Sequence, residues 1–246
     1  MKGDEKFQFW KRHIYPWHWL RVSKKYLIDS YCKGLIKIVE EASPKSCFEL
    51  GIGTGCTFAK SFSDKGISIS GCDISPILLE EAKRICPSLA VCEGGYEDLK
   101  KVRNVFRKKF DLVYCFRSTW YFSNIMQAID FMLFFVKPGG TVVFDIMNAD
   151  SASNKQLVKK KNITFPITFC KNAVKIVVNI FFPKMYMLER VFGTNEIMYK
   201  PDEIKKILIS KNLQFEIFNL SDVSIKGGGG YCSSEFDQKM IFVVSC

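Results

Sequence analysis

The chain has 246 residues, of which 48% are hydrophobic and 25% charged, so it can bury one α/β core and is not a disordered, low-complexity sequence. Ten cysteines are scattered singly, with no C-x-x-C pair and two histidines, which argues against a zinc site and predicts a reduced, cytoplasmic protein without bound metal. The net charge of +11 fits RNA, an anionic membrane surface, an anionic small molecule or a plain solvated surface.

The first half of the chain begins with an aromatic, basic segment and then alternates between helix and strand. The starting sequence MKGDEKFQFW is too charged for a signal peptide. Apolar spacing predicts a helix over about 24–42, and Ser43-Pro44 ends it. The following elements are predicted as strand 46–50, helix 57–65, strand 67–72 and a helix that begins at Ser75-Pro76.

The second half continues this alternation with one interruption. It predicts strands over 89–92 and 111–115, a helix over 124–135 that Lys137-Pro138-Gly139-Gly140 stops, and a strand over 141–146. Residues 150–195, rich in lysine and bulky apolar residues, break the pattern. A helix from Pro201 to about Lys211 and strands over 213–218 and 239–245 follow. Apolar strands that alternate with helices indicate a parallel sheet covered on both faces.

The sequence FELGIGTG, Phe48–Gly55, is the strongest local motif. A strand that ends in acidic Glu49 leads into Gly51-x-Gly53-x-Gly55, where glycines allow a tight turn and close approach to a ligand. A dinucleotide site would need G-x-G-x-x-G, but Cys56 occupies the last position. The tighter spacing suits a sulfonium amino acid, although glycine-rich turns occur in many folds.

Asp73 ends the second predicted strand, 24 residues after Glu49. A carboxylate at this place accepts both hydroxyls of a ribose, and Ile74 is then placed to cover an adenine ring. The alternative is an ordinary helix N-cap, which either Asp73 or Ser75 provides. The glycine motif at the right distance favours the ribose role.

Five motifs, in this order, resemble those of class I S-adenosylmethionine-dependent methyltransferases. ELGIGTG resembles motif I, GCDISP the acidic loop, CEGGYEDL the third-strand adenine loop, FDLVYC the fourth strand and VKPGGTVVFDIMN the fifth. MYKPDEIKKILISKNLQFEIF is similar to the closing elements of the quinone- and small-molecule-methylating branch. The resemblance covers about 45–150 well and 196–246 loosely. It implies an α/β, Rossmann-like, doubly wound and mostly parallel seven-stranded sheet, with an antiparallel last strand and helices on both faces.

The resemblance also implies S-adenosylmethionine as cofactor, with S-adenosylhomocysteine as product, and roles for individual residues. Glu49 is expected at the amino end of the cofactor. The other expected cofactor contacts are Gly51, Gly53 and Gly55 at the methionine, Asp73 at the ribose, Ile74, Tyr96 and Glu97 at the adenine, and Cys115 and Phe116 under the transferring methyl group. Gly95 departs from the family, which commonly has an aspartate there, so Glu97, backbone or water is left to meet the adenine amine.

The acceptor side is less defined. The fourth-strand loop CFRSTWYF lacks the Asn/Asp-Pro-Pro-aromatic motif of nucleic-acid N-methylating relatives, which disfavours methylation of an exocyclic base amine. Arg117 is a candidate ligand for an anionic acceptor or a surface ion-pair partner, and Tyr121 and Asn148 are further acceptor-site candidates. His13, His18 and Asp145 are candidate bases, each with a packing or surface role as the alternative.

The predicted organisation is an N-terminal cap and helix over 1–44 and a cofactor-binding domain over 45–246, with an insert at about 150–195 as an acceptor lid, a membrane contact or plain packing. The predicted function is methylation of a small-molecule or lipid-like acceptor, with oxygen favoured over nitrogen. RNA methylation is the alternative, although the basic residues look spread rather than clustered. A non-catalytic cofactor-binding scaffold is the second alternative. Peripheral membrane contact is left open, and nothing indicates the oligomeric state.

Overall fold

The computed structural model describes residues 30–152, 154–155, 197–219 and 239–246. The six helices named here are α1 (Ser30–Glu41), α2 (Phe58–Ser63), α3 (Pro76–Ile85), α4 (Leu99–Val105), α5 (Ile125–Phe135) and α6 (Pro201–Ser210). The strands are β1 (Ser46–Leu50), β2 (Ser68–Asp73), β3 (Ala90–Glu93), β4 (Phe110–Cys115), β5 (Val136–Met147), β6 (Gln214–Phe218) and β7 (Lys239–Ser245). Short 3₁₀ turns span Tyr96–Asp98 and Thr119–Tyr121.

The seven strands form one sheet in the order β3-β2-β1-β4-β5-β7-β6. The pairs from β3 to β5 are parallel, whereas β7 is antiparallel to both β5 and β6. The predicted fold class, a doubly wound and mostly parallel sheet with an antiparallel last strand, is confirmed. The strand order reverses between β1 and β4, and in such sheets ligands bind at the carboxyl ends of the strands beside this switch point.

Two helical layers cover the sheet. Helices α1, α2 and α3 pack on one face through residues such as Leu35, Phe62 and Leu79. Helices α4, α5 and α6 pack on the other face, for example through Phe131 and Leu208. We call these the α1–α3 layer and the α4–α6 layer. The apolar residues of α1 belong to the same cluster as residues of the strands. Helix α1 therefore packs on the sheet that holds the predicted cofactor motifs.

The predicted boundaries are wrong at the start of β5. Lys137-Pro138-Gly139-Gly140 lies inside this strand, which begins at Val136. Val136 pairs with Phe110, and the register shifts before Leu112, so an irregularity in the ladder accommodates the proline and glycines. The Gly139 N–H also donates to the carbonyl of Cys246 at 2.5 Å, so this N–H has a hydrogen-bond partner in the irregular part of the strand.

Helix α4 was not predicted, because it is short and its few apolar residues are spaced among lysines and arginines. All six cations of residues 100–109 are exposed. The expectation that the basic residues are spread rather than clustered is therefore wrong for this part of the chain. His13, His18 and most of the 150–195 insert lie outside the described residues. Within the described ranges, no helix is long and apolar enough to cross a membrane.

Candidate cofactor and acceptor site

The loop from β1 to α2 makes a tight turn at the switch point. Gly51, Gly53 and Gly55 have φ angles of +78°, +55° and +62°, the left-handed region in which side chains are strained. The Gly51 and Ile52 N–H groups donate to the Cys72 carbonyl at 2.8 and 3.1 Å, which holds the loop against the end of β2. A Cβ atom on Gly51 would lie 2.7 Å from Ser118 Oγ, so only glycine fits without displacement of the β4 loop.

Asp73 lies at the end of β2 with a side chain only 7% exposed. Its Oδ2 accepts the Gly53 N–H at 2.9 Å, and its Oδ1 accepts the Ser75 N–H at 2.9 Å. Burial raises the pKa of this carboxyl to about 6, against the lowering effect of these N–H donors. The N-cap of α3 is Ser75, whose hydroxyl accepts the Leu78 N–H, so the alternative of Asp73 as the cap is wrong.

Glu49 is buried at the end of β1, where Tyr114 on β4 donates a hydrogen bond from its hydroxyl to Glu49 Oε2 at 2.9 Å. Burial raises the pKa of Glu49 well above its usual range, Asp73 and Cys56 raise it further, and the Tyr114 hydrogen bond opposes them. The sequence reasoning missed Tyr114. The sequence feature that points to Tyr114 is its hydroxyl within the otherwise apolar strand FDLVYC, because a buried hydroxyl needs a hydrogen-bond partner.

The loop after β3 explains the departure at Gly95. A Cβ atom on Gly95 would lie 3.0 Å from Ile74 Cγ2, so the family's common aspartate would crowd Ile74 in this chain. Tyr96 is buried, and its hydroxyl lies 3.0 Å from Ser123 Oγ and accepts the Ser123 N–H at 3.1 Å. Glu97 is exposed. Ile74, from the loop after β2, thus lies beside the loop after β3 that holds Tyr96, while the Glu97 side chain is exposed to solvent.

The loop after β4 borders the opposite side of the switch point. Cys115 and Phe116 are buried, and burial raises the pKa of the Cys115 thiol well above its usual value. Arg117 has a φ angle of +60°, and its backbone N–H donates to Asp145 Oδ1 at 2.8 Å. Its Nη1 lies 3.6 Å from Cys32 Sγ on α1, so the guanidinium is directed toward that helix.

Asp145 on β5 is the centre of a buried polar cluster. Its side chain is 0% exposed, and Tyr31 donates a hydrogen bond to Asp145 Oδ2 at 2.5 Å. The Lys239 Nζ lies 4.2 Å from the Tyr31 ring centroid and 5.3 Å from that of Trp120. Burial raises the pKa of Asp145, while the Tyr31 hydrogen bond and the charge of Lys239 lower it. Tyr31 and Lys239 were not predicted, because they lie far from Asp145 in sequence.

Asn148, just beyond β5, is nearly buried and uses its side chain to shape a turn. Its Oδ1 accepts the Asp150 N–H at 2.9 Å, and its carbonyl accepts from Asn154 Nδ2 at 2.7 Å. The neighbouring bridge to Tyr199 joins this turn to the residues before α6. Tyr121 is half-buried, with its ring centroid 6.1 Å from that of Trp120. Both residues therefore lie in the loops at the carboxyl edge of the sheet.

The structure thus separates the predicted residues into two groups at one edge of the sheet. Glu49, the glycine loop, Asp73, Ile74 and Tyr96 follow β1, β2 and β3, where a carboxylate and an apolar side chain suit a ribose and an adenine ring. Cys115, Phe116, Arg117, Asp145 and Asn148 lie at the ends of β4 and β5.

Comparisons with known proteins bear on the family and the fold of this chain. A family model for a methyltransferase domain matches residues 23–173. No curated protein matches the chain. Among solved structures, a plantazolicin methyltransferase in complex with S-adenosylhomocysteine and a triazolic substrate analogue has a TM-score of 0.61 at 12% identity, covering 99% of this chain and 95% of that one.

Two further solved structures share the fold. Magnesium protoporphyrin IX methyltransferase from Synechocystis PCC 6803, with bound S-adenosylhomocysteine, has a TM-score of 0.57 at 14% identity, covering 87% of this chain and 81% of that one. A methyltransferase from Thermotoga maritima, described as a possible histamine N-methyltransferase, has a TM-score of 0.51 at 18% identity, covering 82% of this chain and 81% of that one.

The fold and the family match define the class of protein. The chain belongs to the methyltransferase-domain family whose model spans more than half of it. It is a class I S-adenosylmethionine-dependent methyltransferase, and S-adenosylmethionine is its cofactor.

Proposed function

We propose that this enzyme methylates a small-molecule or lipid-like acceptor in the cytoplasm, on oxygen in preference to nitrogen. The acceptor binds beside Arg117, Tyr121 and Asn148, at the ends of β4 and β5. The absence of an Asn/Asp-Pro-Pro-aromatic motif after β4 supports a substrate other than a nucleic-acid base. The solved neighbours named for histamine and for magnesium protoporphyrin IX are in keeping with this class of acceptor.

The observation on which the cofactor assignment rests is the contact between the glycine loop and Asp73. Gly51, Gly53 and Gly55, at every second position of the loop, have left-handed backbone and no side chain, and Asp73 fixes the middle of the loop by accepting the Gly53 N–H. Each Asp73 oxygen keeps acceptor capacity beyond that one bond, which a ribose diol requires. We assign Glu49, Gly51, Gly53, Gly55 and Asp73 to the methionine and ribose. Ile74, Tyr96 and Glu97 are assigned to the adenine, and Cys115 and Phe116 to the reacting end.

When bound, S-adenosylmethionine supplies a methyl group on a sulfonium for direct displacement. The chain contributes positioning and dry walls, because Cys115 and Phe116 are buried and hold no charge at neutral pH. Arg117 orients an anionic acceptor. A hydroxyl acceptor profits from a general base. We favour His13 and His18 over Asp145 as the general base. The Asp145 carboxylate already accepts hydrogen bonds from the Tyr31 hydroxyl and the Arg117 backbone N–H.

The site is tested by calorimetric titration of S-adenosylmethionine and S-adenosylhomocysteine into the wild type and Asp73→Asn. We expect the substitution to weaken both affinities about tenfold or more, since it removes the negative charge of the carboxylate that accepts hydrogen bonds from the ribose hydroxyls. Asp64→Asn, an exposed carboxylate after α2, is the matched control and is expected to bind normally. Equal affinities in all three proteins would reject the assignment of Asp73.

The acceptor is tested by transfer of labelled methyl from S-adenosylmethionine into a host extract that is separated into lipid, small-molecule, RNA and protein fractions. Label in the lipid or small-molecule fraction supports the proposal. Label in RNA favours the alternative reaction, and cofactor binding without label in any fraction favours a scaffold role. A Gly51→Ala protein in the same extract controls for label from other enzymes.

A further inference from the structure

The charge of the described chain is concentrated on one helical layer. In the α4–α6 layer, residues 99–109, 125–135 and 200–212 contain ten lysines and arginines but three acids. In the α1–α3 layer, residues 30–45, 58–65 and 76–88 contain seven basic and five acidic residues. Ion pairs on the α4–α6 layer join Lys101 to Glu93, Lys205 to Asp202 and Lys211 to Asp130. The layer therefore presents an excess of positive charge to solvent.

The same layer carries the exposed apolar side chains. Among the described residues, the large hydrophobic side chains that are exposed are Val105 (55%), Met126 (50%) and Ile209 (65%). They belong to α4, α5 and α6, respectively. Single exposed hydrophobic side chains are ordinary. Three on one positively charged face, and none among the described residues of the other layer, indicate a surface that makes both apolar and ionic contacts.

An aromatic ring lies among the cations of this face. The Arg103 guanidinium lies 5.4 Å, and the Lys109 ammonium 5.9 Å, from the ring centroid of Phe134, which is half-buried on α5. Nucleic acid would favour a free aromatic or hydrogen-bonding side chain against its bases. The Phe134 ring is flanked by cations, and the exposed apolar side chains of the layer are aliphatic (Val105 and Ile209) or a thioether (Met126) rather than aromatic. A lipid surface accepts such side chains between its headgroups while its anionic lipids attract the lysines and arginines.

We infer that the α4–α6 layer is a docking face for a membrane surface that contains anionic lipid. The inference is independent of the acceptor, but the two are compatible in position. Met126 lies in the first turn of α5, which begins directly after the β4 loop at the carboxyl edge of the sheet. Val105 and Ile209 lie near the C-terminal ends of α4 and α6, so the face runs along the layer and borders the acceptor site.

The test is sedimentation of the full chain with vesicles of phosphatidylcholine alone or of phosphatidylcholine mixed with phosphatidylserine. A triple variant, Arg107→Gln/Lys108→Gln/Lys109→Gln, removes three exposed charges after α4. We expect roughly ten- to hundredfold weaker partitioning onto the mixed vesicles. The control is Lys33→Gln/Lys37→Gln/Lys83→Gln, which removes the same charge from exposed positions on the α1–α3 layer and is expected to bind like the wild type.

A second pair of substitutions separates the apolar contribution. Val105→Ser with Ile209→Ser leaves the charge unchanged and is expected to weaken partitioning severalfold, with the loss persisting at high salt, where screening weakens the ionic attraction. Thermal unfolding of each variant shows whether it is folded. Equal loss in both triple variants or no preference for phosphatidylserine would overturn the inference. Tighter binding of the wild type to an RNA oligonucleotide than to the mixed vesicles, at equal total phosphate concentration, would also overturn it.

Discussion

Substitution of Gly51 by alanine tests the central element of the site, and the chain offers a matched control. Gly51 has a φ angle of +78°, and its added Cβ would lie 2.7 Å from Ser118 Oγ and 2.9 Å from Ser118 Cβ. Gly66, between α2 and β2, has a φ angle of +81° with nothing within 4 Å of the added Cβ. The two substitutions therefore impose the same backbone strain, and only Gly51→Ala adds a collision.

The magnitudes follow from these two contributions. The left-handed conformation costs an alanine about 1–2 kcal/mol, so Gly66→Ala is expected to lower the melting temperature by about 2–8 °C at this chain length. Overpacking typically costs a further 1–3 kcal/mol, so Gly51→Ala is expected to lose about 2–5 kcal/mol. The loop and Ser118 relieve this strain by moving apart. Because the loop moves, S-adenosylhomocysteine affinity is expected to fall at least about tenfold.

The assays are thermal unfolding and calorimetric titration of S-adenosylhomocysteine into the wild type, Gly51→Ala and Gly66→Ala. Gly66→Ala is expected to melt early but bind normally, because Gly66 lies at the opposite end of β2 from Asp73. Normal affinity in Gly51→Ala would refute the reasoning, since the close approach to Ser118 would then be irrelevant to the cofactor. Equal loss of affinity in both variants would show that general destabilisation, rather than loop geometry, controls binding.

Three further predictions concern the buried carboxylates. Because burial raises the pKa of Asp73 to about 6, S-adenosylmethionine affinity is expected to fall about tenfold between pH 7 and pH 5 as this carboxyl is protonated; Asp73→Asn should abolish that part of the pH dependence in calorimetry. Tyr114→Phe removes the hydroxyl that donates to Glu49, so we expect a loss of about 1–3 kcal/mol in denaturant unfolding and weaker cofactor binding; unchanged values would show that the bond is unimportant. A double-mutant cycle of Tyr31→Phe and Asp145→Asn, followed by unfolding, is expected to give a coupling energy of about 1–3 kcal/mol, and additive effects would contradict the contact.

The fold was largely predictable because its signals are local. Apolar runs separated by turns located every strand, and the boundaries predicted for β1 and β7 agree with the structure. The start of β5 was not predicted correctly, because proline and glycine usually end a helix or strand. Here an irregular register with Phe110 keeps them in the strand. Helix α4 was missed because a short helix with few apolar residues resembles a polar loop.

The site was predictable only where its residues follow one another along the chain. The glycine loop and Asp73 form contiguous motifs, and the structure brings them within hydrogen-bond distance of each other. Tyr114, in contrast, is 65 residues from Glu49, and Tyr31 is 114 residues from Asp145. No spacing rule links such pairs, because their contact depends on which strands are neighbours and which layer receives each helix.

The net charge of +11 is a poor guide to the local electrostatics of the site, because the basic and acidic groups are separated in the structure. The exposed lysines and arginines of the α4–α6 layer are screened within about 10 Å at moderate salt. Glu49 and Asp73 are buried beside the glycine loop, where screening is weak, and Asp73 raises the pKa of Glu49. In the proposed site, a cationic sulfonium cofactor beside these two carboxylates would relieve this repulsion, whereas the basic face repels a cation. A basic protein can thus hold a cation in its site and an anionic partner on its surface, because each responds to the charges nearest to it.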